Sequence, residues 1–198
     1  MAHDFEKLAA GVTERVIAWQ RTIHADPEVG FDTVRTAALV AKALREVGVS
    51  VREGIGRTGV VGDIDVPSAT RRLAFRADMD ALPMDEENDL PHKSRNPGAA
   101  HMCGHDAHTS MLWGAAHVLS GMREELQCSV RFIFQPNEET VPGGITHDFG
   151  STTRRCALAS RPGWRWLWRL HHNAYFDVVL ARGRVSYTWP SLRPGLHS

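Results

Sequence analysis

Residues 101–139 read HMCGHDAHTSMLWGAAHVLSGMREELQCSVRFIFQPNEE, and a change of period inside this stretch decides the fold. From His105 or Asp106 to Leu126, the residues Met111, Ala115, Val118, Leu119 and Met122 recur at helical spacing. Ser129 to Phe134 (SVRFIF) then form an apolar run bounded by Gln135 and Pro136, as a buried strand does. Upstream, RRLAFRADMDALP opens with a β-rich piece over Arg72 to Ala77. Strand, helix, strand in that order predicts a βαβ crossover in a helix-covered sheet, so the fold class is α/β.

Outward from this unit, Phe5, Leu8, Val12, Val16, Trp19 and Ile23 predict an amphipathic helix over 4–23. A second helix is expected over 32–47, with Asp32 or Thr33 as its cap and Gly48 at its C-terminal end. Short β pieces at 49–52 and 60–66 follow, and 85–102 reads as a loop. Hydrophobic residues at 42% and charged residues at 23% exclude collagen-like, coiled-coil and fully disordered chains. With 198 residues, one domain of ordinary size is expected. No run approaches the length of a membrane helix, and three cysteines (Cys103, Cys128, Cys156) do not make a disulfide framework. The expected location is the cytoplasm, with no membrane partner.

The net charge is zero, yet 149–198 holds eight Arg and one acid, a balance of +7, so 1–148 carries −7. Within 151–169 lie five Arg and three Trp with neither helical nor strand period. Such a segment reads either as a basic aromatic patch or as a stretch outside any domain pattern. The abrupt loss of patterning favours the second, so no nucleic-acid partner is expected. The chain divides into 1–148, which carries the domain patterning, and 149–198, an atypical Arg/Trp-rich tail.

Three clusters carry chemistry. In His101-Met102-Cys103-Gly104-His105-Asp106-Ala107-His108, Cys103 and His105 form a ligand pair spaced two apart at a loop-to-helix junction, of the types that divalent zinc prefers. Glu138 and Glu139 sit just past a strand end, where α/β sheets place ligands. Of two adjacent carboxylates, one can coordinate a metal while the other acts as general base on an activated water. Asp78 and Asp80 follow the preceding strand, and either is placed to orient a ligating histidine through its outer nitrogen. Taken singly, each cluster is an ordinary polar turn. Three at one sheet edge point to a site.

The segments HADPEVGF (24–31), RADMDALP (76–83), HMCGHDAHTSML (101–112) and VRFIFQPNEE (130–139) occur in one order and spacing. Together they resemble the hippurate hydrolase and N-acyl-amino-acid amidohydrolase branch of the dinuclear-metal aminoacylase/carboxypeptidase family, over about residues 10–145. The resemblance implies a zinc-peptidase-like catalytic domain with a mixed sheet, present here in part, and hydrolysis of the amide in a small N-acyl amino acid. It implies two divalent ions, zinc or manganese and possibly cobalt. Cys103 is then the bridging ligand, His105 and Glu139 further ligands, Glu138 the general base and Asp80 the orienting carboxylate. His108 is a further outer candidate, and His171 a candidate for a later family histidine. The family also carries an inserted dimerisation domain, for which this chain has no room. The expectation is therefore a chain truncated or frame-disrupted after about Gly144 or Asp148. The alternative to an active hydrolase is an inactive metal-binding fragment.

Overall fold

The computed structural model describes residues 5–140, together with two short strands at Val179–Leu180 and Gly183–Arg184. The single helix expected over 4–23 is two helices, α1 (Phe5–Ala10) and α2 (Thr13–His24). Gly11 separates them, and its weak helix propensity accounts for the break. Helix α3 (Val34–Glu46) falls inside its expected range, and Gly48 follows it with φ +75°. Its N-terminus differs from the capping expectation. Thr33 holds the cap position without a side-chain cap bond, and its hydroxyl lies 2.8 Å from that of Thr58. The buried carboxylate of Glu28 instead accepts the Arg35 and Thr36 amides (3.1 and 2.7 Å).

Strands β1 (Ser50–Ile55) and β2 (Gly59–Ile64) form an antiparallel hairpin. Strand β3 (Arg72–Asp78) leads through a long loop to helix α4 (His105–Gly121), then a 3-10 turn (Arg123–Glu125) and strand β4 (Ser129–Gln135). The helix expected to reach Leu126 thus ends at Gly121. The sheet order is β1-β2-β4-β3-β5-β6, with β5 (Val179–Leu180) antiparallel to β3 and β6 (Gly183–Arg184) antiparallel to β5. β4 runs parallel to β3 and antiparallel to β2, which makes the sheet mixed. The crossover expected from sequence is β3–α4–β4.

Helices α3 and α4 cover one face. Val40, Leu44, Leu112, Trp113 and Ala116 pack there against Val60, Ile64, Ala77, Val130, Phe132 and Phe134. The alternate residues Val61 and Ile133 form a smaller cluster, the period-two alternation of a strand. Helix α2 lies against α4 through Trp19, stacked on Trp113 at 4.6 Å. Any Cβ on Gly114 would meet Val16 at 2.7 Å, so the close approach of these helices requires glycine there. No helix among the described residues is long and apolar enough to cross a membrane. The readings of 151–169, of His171 and of a boundary near 148 lie outside the described residues.

Candidate metal centre

Because β3 and β4 are parallel and in register from Arg72↔Ser129 to Asp78↔Gln135, the loops leaving their C-terminal ends emerge side by side. One carries Asp80, the other Glu138 and Glu139. The first turn of α4 brings His105 to the same edge, after Gly104 in a left-handed conformation (φ +93°) that turns the Cys103 loop into the helix. The Cys103 thiol, a ring nitrogen of His105 and a carboxylate oxygen of Glu139 lie within 4.8 Å of one another. Residues 36 apart in sequence therefore share one locus.

His105 is locked by its outer nitrogen. Nδ1 donates to the backbone carbonyl of Asp80 (2.8 Å), which leaves Nε2 facing Glu139 Oε1 at 3.8 Å and Glu138 Oε2 at 3.9 Å. Asp80 reaches the imidazole chiefly through that carbonyl, since its carboxylate Oδ1 stands 3.5 Å away. Its Oδ2 accepts the amide of Glu139 (3.1 Å), tying the two strand-end loops together. The Thr109 hydroxyl, one turn further along α4, donates to the carbonyl of Asp78 (2.9 Å). Asp80 Oδ1 and Glu139 Oε1 are buried without hydrogen-bond partners among the described residues. Buried acceptors of this kind call for a cation or a donor. A thiol, an imidazole and a carboxylate around such an acceptor fit a divalent ion of the zinc type.

The electrostatics agree. Burial raises the Cys103 thiol to about 12, with Glu139 and the neighbouring carboxylates adding to the shift. Burial pulls His105 down, but hydrogen bonding of the ring to Asp80 and the charges of Asp78 and Asp80 outweigh it and lift His105 to about 9. Asp78 is raised to about 6 by burial, against the pull of Arg76 and His105. The metal-free site is thus an excess of negative charge, partly neutralised by a protonated His105. A cation is the natural replacement.

The structure brings together Cys103, His105, Glu138, Glu139 and Asp80, all five residues singled out by sequence. His108 lies beside the His105 ring at 5.7 Å, and burial lowers its pKa. Asp106, counted in the sequence among the ligand types, turns away from the thiol. Its Oδ2 accepts from His24 Nδ1 (2.8 Å) and Gln20 Nε2 (2.5 Å). Sequence reasoning passed over His24, Glu86, Thr109, Asn137 and His101. His101 is buried with both ring nitrogens unpartnered among the described residues, and burial lowers it to about 4. The motifs HADPEVGF, HMCGHDAHTSML and VRFIFQPNEE contain His24, His101, Thr109 and Asn137 without assigning them a task, and Glu86 lies outside all of them.

Residues 74–185 match the model of peptidase family M20/M25/M40, so the match crosses into the basic stretch after 148. The N-acyl-L-amino acid amidohydrolase of Geobacillus stearothermophilus is 41% identical over 141 residues, which are 71% of this chain and 38% of that protein. The hippurate hydrolase of Campylobacter jejuni is 45% identical over 121 residues, 61% of this chain and 31% of its own length. The chain therefore spans between about a third and two fifths of these relatives. Among solved structures, the Bacillus subtilis YxeP protein, described as a dinuclear metal binding peptidase, aligns with a TM-score of 0.66 and 34% identity. That alignment covers 77% of this chain and 41% of the other.

Proposed function

This chain belongs to peptidase family M20/M25/M40, and from that premise we propose that it is the metal-binding part of an amidohydrolase acting on small N-acyl amino acids. The observation that carries the reading is the convergence of Cys103, His105 and Glu139 within 4.8 Å, beside a second carboxylate at 3.9 Å from the same imidazole. Divalent ions, two by the family resemblance and of the zinc or manganese type, possibly cobalt, would be held with Cys103, His105 and Glu139 among their ligands. Bound there, they would supply Lewis acidity to the attacking water and to the scissile carbonyl.

The chain's own residues do the rest. Asp80 holds Nδ1 of His105 at its carbonyl, so Nε2 faces the site and, once its proton has left, would present its lone pair to a bound ion. Glu138, free of the ligand role that falls to Glu139, removes the proton from water and delivers it to the leaving nitrogen. One C–O bond forms, the amide C–N bond breaks, and a carboxylic acid and an amino acid leave. The relatives named hippurate hydrolase and N-acyl-L-amino acid amidohydrolase support this substrate class. A ligating thiol suits a reducing compartment, in keeping with a cytoplasmic enzyme.

The test is release of benzoate from hippurate, or acetate from N-acetyl amino acids, with added zinc or manganese, alongside metal analysis. Glu138→Gln is expected to lower turnover by about a hundredfold or more while leaving metal content unchanged. A variant that stayed fast would remove Glu138 from the role of base. Bound metal with no hydrolysis of any N-acyl amino acid would favour the non-catalytic metal-binding fragment.

A further inference from the structure

The segment 24–30 (HADPEVG) holds no ligand, yet it touches all three pieces of chain that build the centre, those of His105, Asp80 and the Glu138–Glu139 pair. At its first residue, His24 Nδ1 lies 2.8 Å from Oδ2 of Asp106, the neighbour of His105. At Glu28, the backbone carbonyl accepts the amide of Ala81 (2.8 Å), the neighbour of Asp80, and Val29 forms a parallel bridge with the same residue. At its last residue, Gly30 (φ +62°) faces Asn137, the neighbour of Glu138, so closely that a Cβ would stand 3.0 Å from Asn137 Oδ1. Each grip falls one residue away from a group of the metal centre.

The segment is itself fastened. His24 Nε2 reaches Glu86 Oε1 (3.1 Å), whose other oxygen accepts the Ser94 amide (2.7 Å). The Glu28 carboxylate accepts the first amides of α3 and the Thr36 hydroxyl (2.9 Å). His24, Glu28 and Asn137 are all buried. Asn137 has φ +55°, a conformation that side chains other than glycine adopt at a cost and that persists where surroundings impose it. That turn sets the directions in which Glu138 and Glu139 leave β4. A segment serving only as packing would have no reason to meet each of these three loops at the residue adjoining its site group.

We propose that the 24–30 segment is the positioning frame of the metal centre, with His24 and Gly30 as positioning residues that fix the separation of His105, Asp80 and the Glu138–Glu139 pair. This rests on the metal-site reading above. The probe is Co2+ added to the full metal-free chain, read by affinity and by the cobalt–thiolate absorption, at a temperature where every variant is folded. His24→Leu and Gly30→Ala are each expected to weaken Co2+ binding by about ten- to a hundredfold, the range for residues that orient ligands. His24→Asn places an amide donor near the position of Nδ1 and should recover much of the loss. Asn137→Gly added to Gly30→Ala removes the clash and tolerates positive φ, so the double variant should bind better than Gly30→Ala alone.

Amide hydrogen exchange of the metal-free protein gives a second readout. Gly30→Ala should speed exchange at Ala81 and Glu139 and leave β1 and β2 unchanged. Should the unaltered chain bind no Co2+, the metal reading fails and the exchange arm alone decides the frame. Variants that merely melt earlier, with unaltered Co2+ affinity when folded and unaltered exchange at those two amides, would overturn it.

Discussion

Metal uptake by this site should expel protons, and the structure fixes how many. In the metal-free protein the Cys103 thiol is raised to about 12, by burial first and then by Glu139, while the Asp80 contact and the Asp78 and Asp80 charges hold His105 at about 9. Ligation needs a thiolate and an imidazole whose Nε2 is unprotonated. At pH 7 His105 lies about two units below its midpoint and Cys103 about five, so both are almost fully protonated and about two protons leave on binding. The logarithm of affinity should then climb by about two for each pH unit below about 9, and by about one between about 9 and 12. The assay is titration calorimetry with zinc in buffers of different ionisation enthalpy, where the slope of observed against buffer enthalpy counts the protons released. Cys103→Ala should reduce that count to about one. A slope below one in the unaltered chain would show that His105 and Cys103 do not both ligate, and the donor set would have to be redrawn.

Two further outcomes follow from burial. Asp78, raised to about 6 by burial, favours its protonated form in the fold, so its contribution to metal-free stability is present at low pH and is lost as pH rises from about 4 through 6. Asp78→Asn should flatten that part of the pH–stability curve and raise stability at pH 7 by on the order of 1–2 kcal/mol in urea unfolding, whereas an unchanged curve would refute the shift. Phe132→Ala, at a fully buried position on the helix-covered face, should cost about 3–5 kcal/mol in the same assay. A loss below about 1 kcal/mol would mean that this face is not the main core.

The β3–α4–β4 unit was legible because the period changes between 105–126 and 129–134, but the stripe of Met111, Ala115, Val118, Leu119 and Met122 was offset from the buried face: Met111 is exposed, and Leu112, Trp113 and Ala116 enter the core beside Phe132 and Phe134. The five candidate residues stood out for a different reason: Cys, His and Glu are rare together, and each cluster closes a strand or opens a helix. What the sequence hid depends on long-range geometry. Glu28 caps α3 from outside the helix, so no local signature marks it, and the expectation of Asp32 or Thr33 followed the local rule. Asp106 looks like a ligand by type and neighbourhood, yet its carboxylate is engaged by His24, 82 positions earlier, and by Gln20. The Asp80 contribution was expected from a carboxylate and comes mainly from a carbonyl, which every residue type offers. Gly11 broke the first helix because amphipathic spacing on both sides of it concealed a weak point.

The place of the site follows from the burial of β4. All seven of its residues are buried, including three polar ones, and all three are matched. Ser129 Oγ accepts the amide of Val66 (3.1 Å). Arg131 makes two bonds to Asp63 (2.7 and 2.9 Å), and Gln135 accepts from Arg76 Nε (2.8 Å). A strand paired on both sides and covered in this way has little freedom to shift its register, because a slip of one residue would put Arg131 into the apolar face and Phe132 out of it. Its C-terminal end is therefore among the least mobile points of the domain. Glu139 inherits that rigidity two residues after the turn at Asn137, and its amide passes it to Asp80. His105 receives it through the Asp80 carbonyl and through α4, whose Leu112 and Trp113 are anchored in the same core as Phe132. The polar edge can thus hold mutually repelling carboxylates near one another, because the cost is carried by packing on the far side of the sheet rather than by contacts within the site.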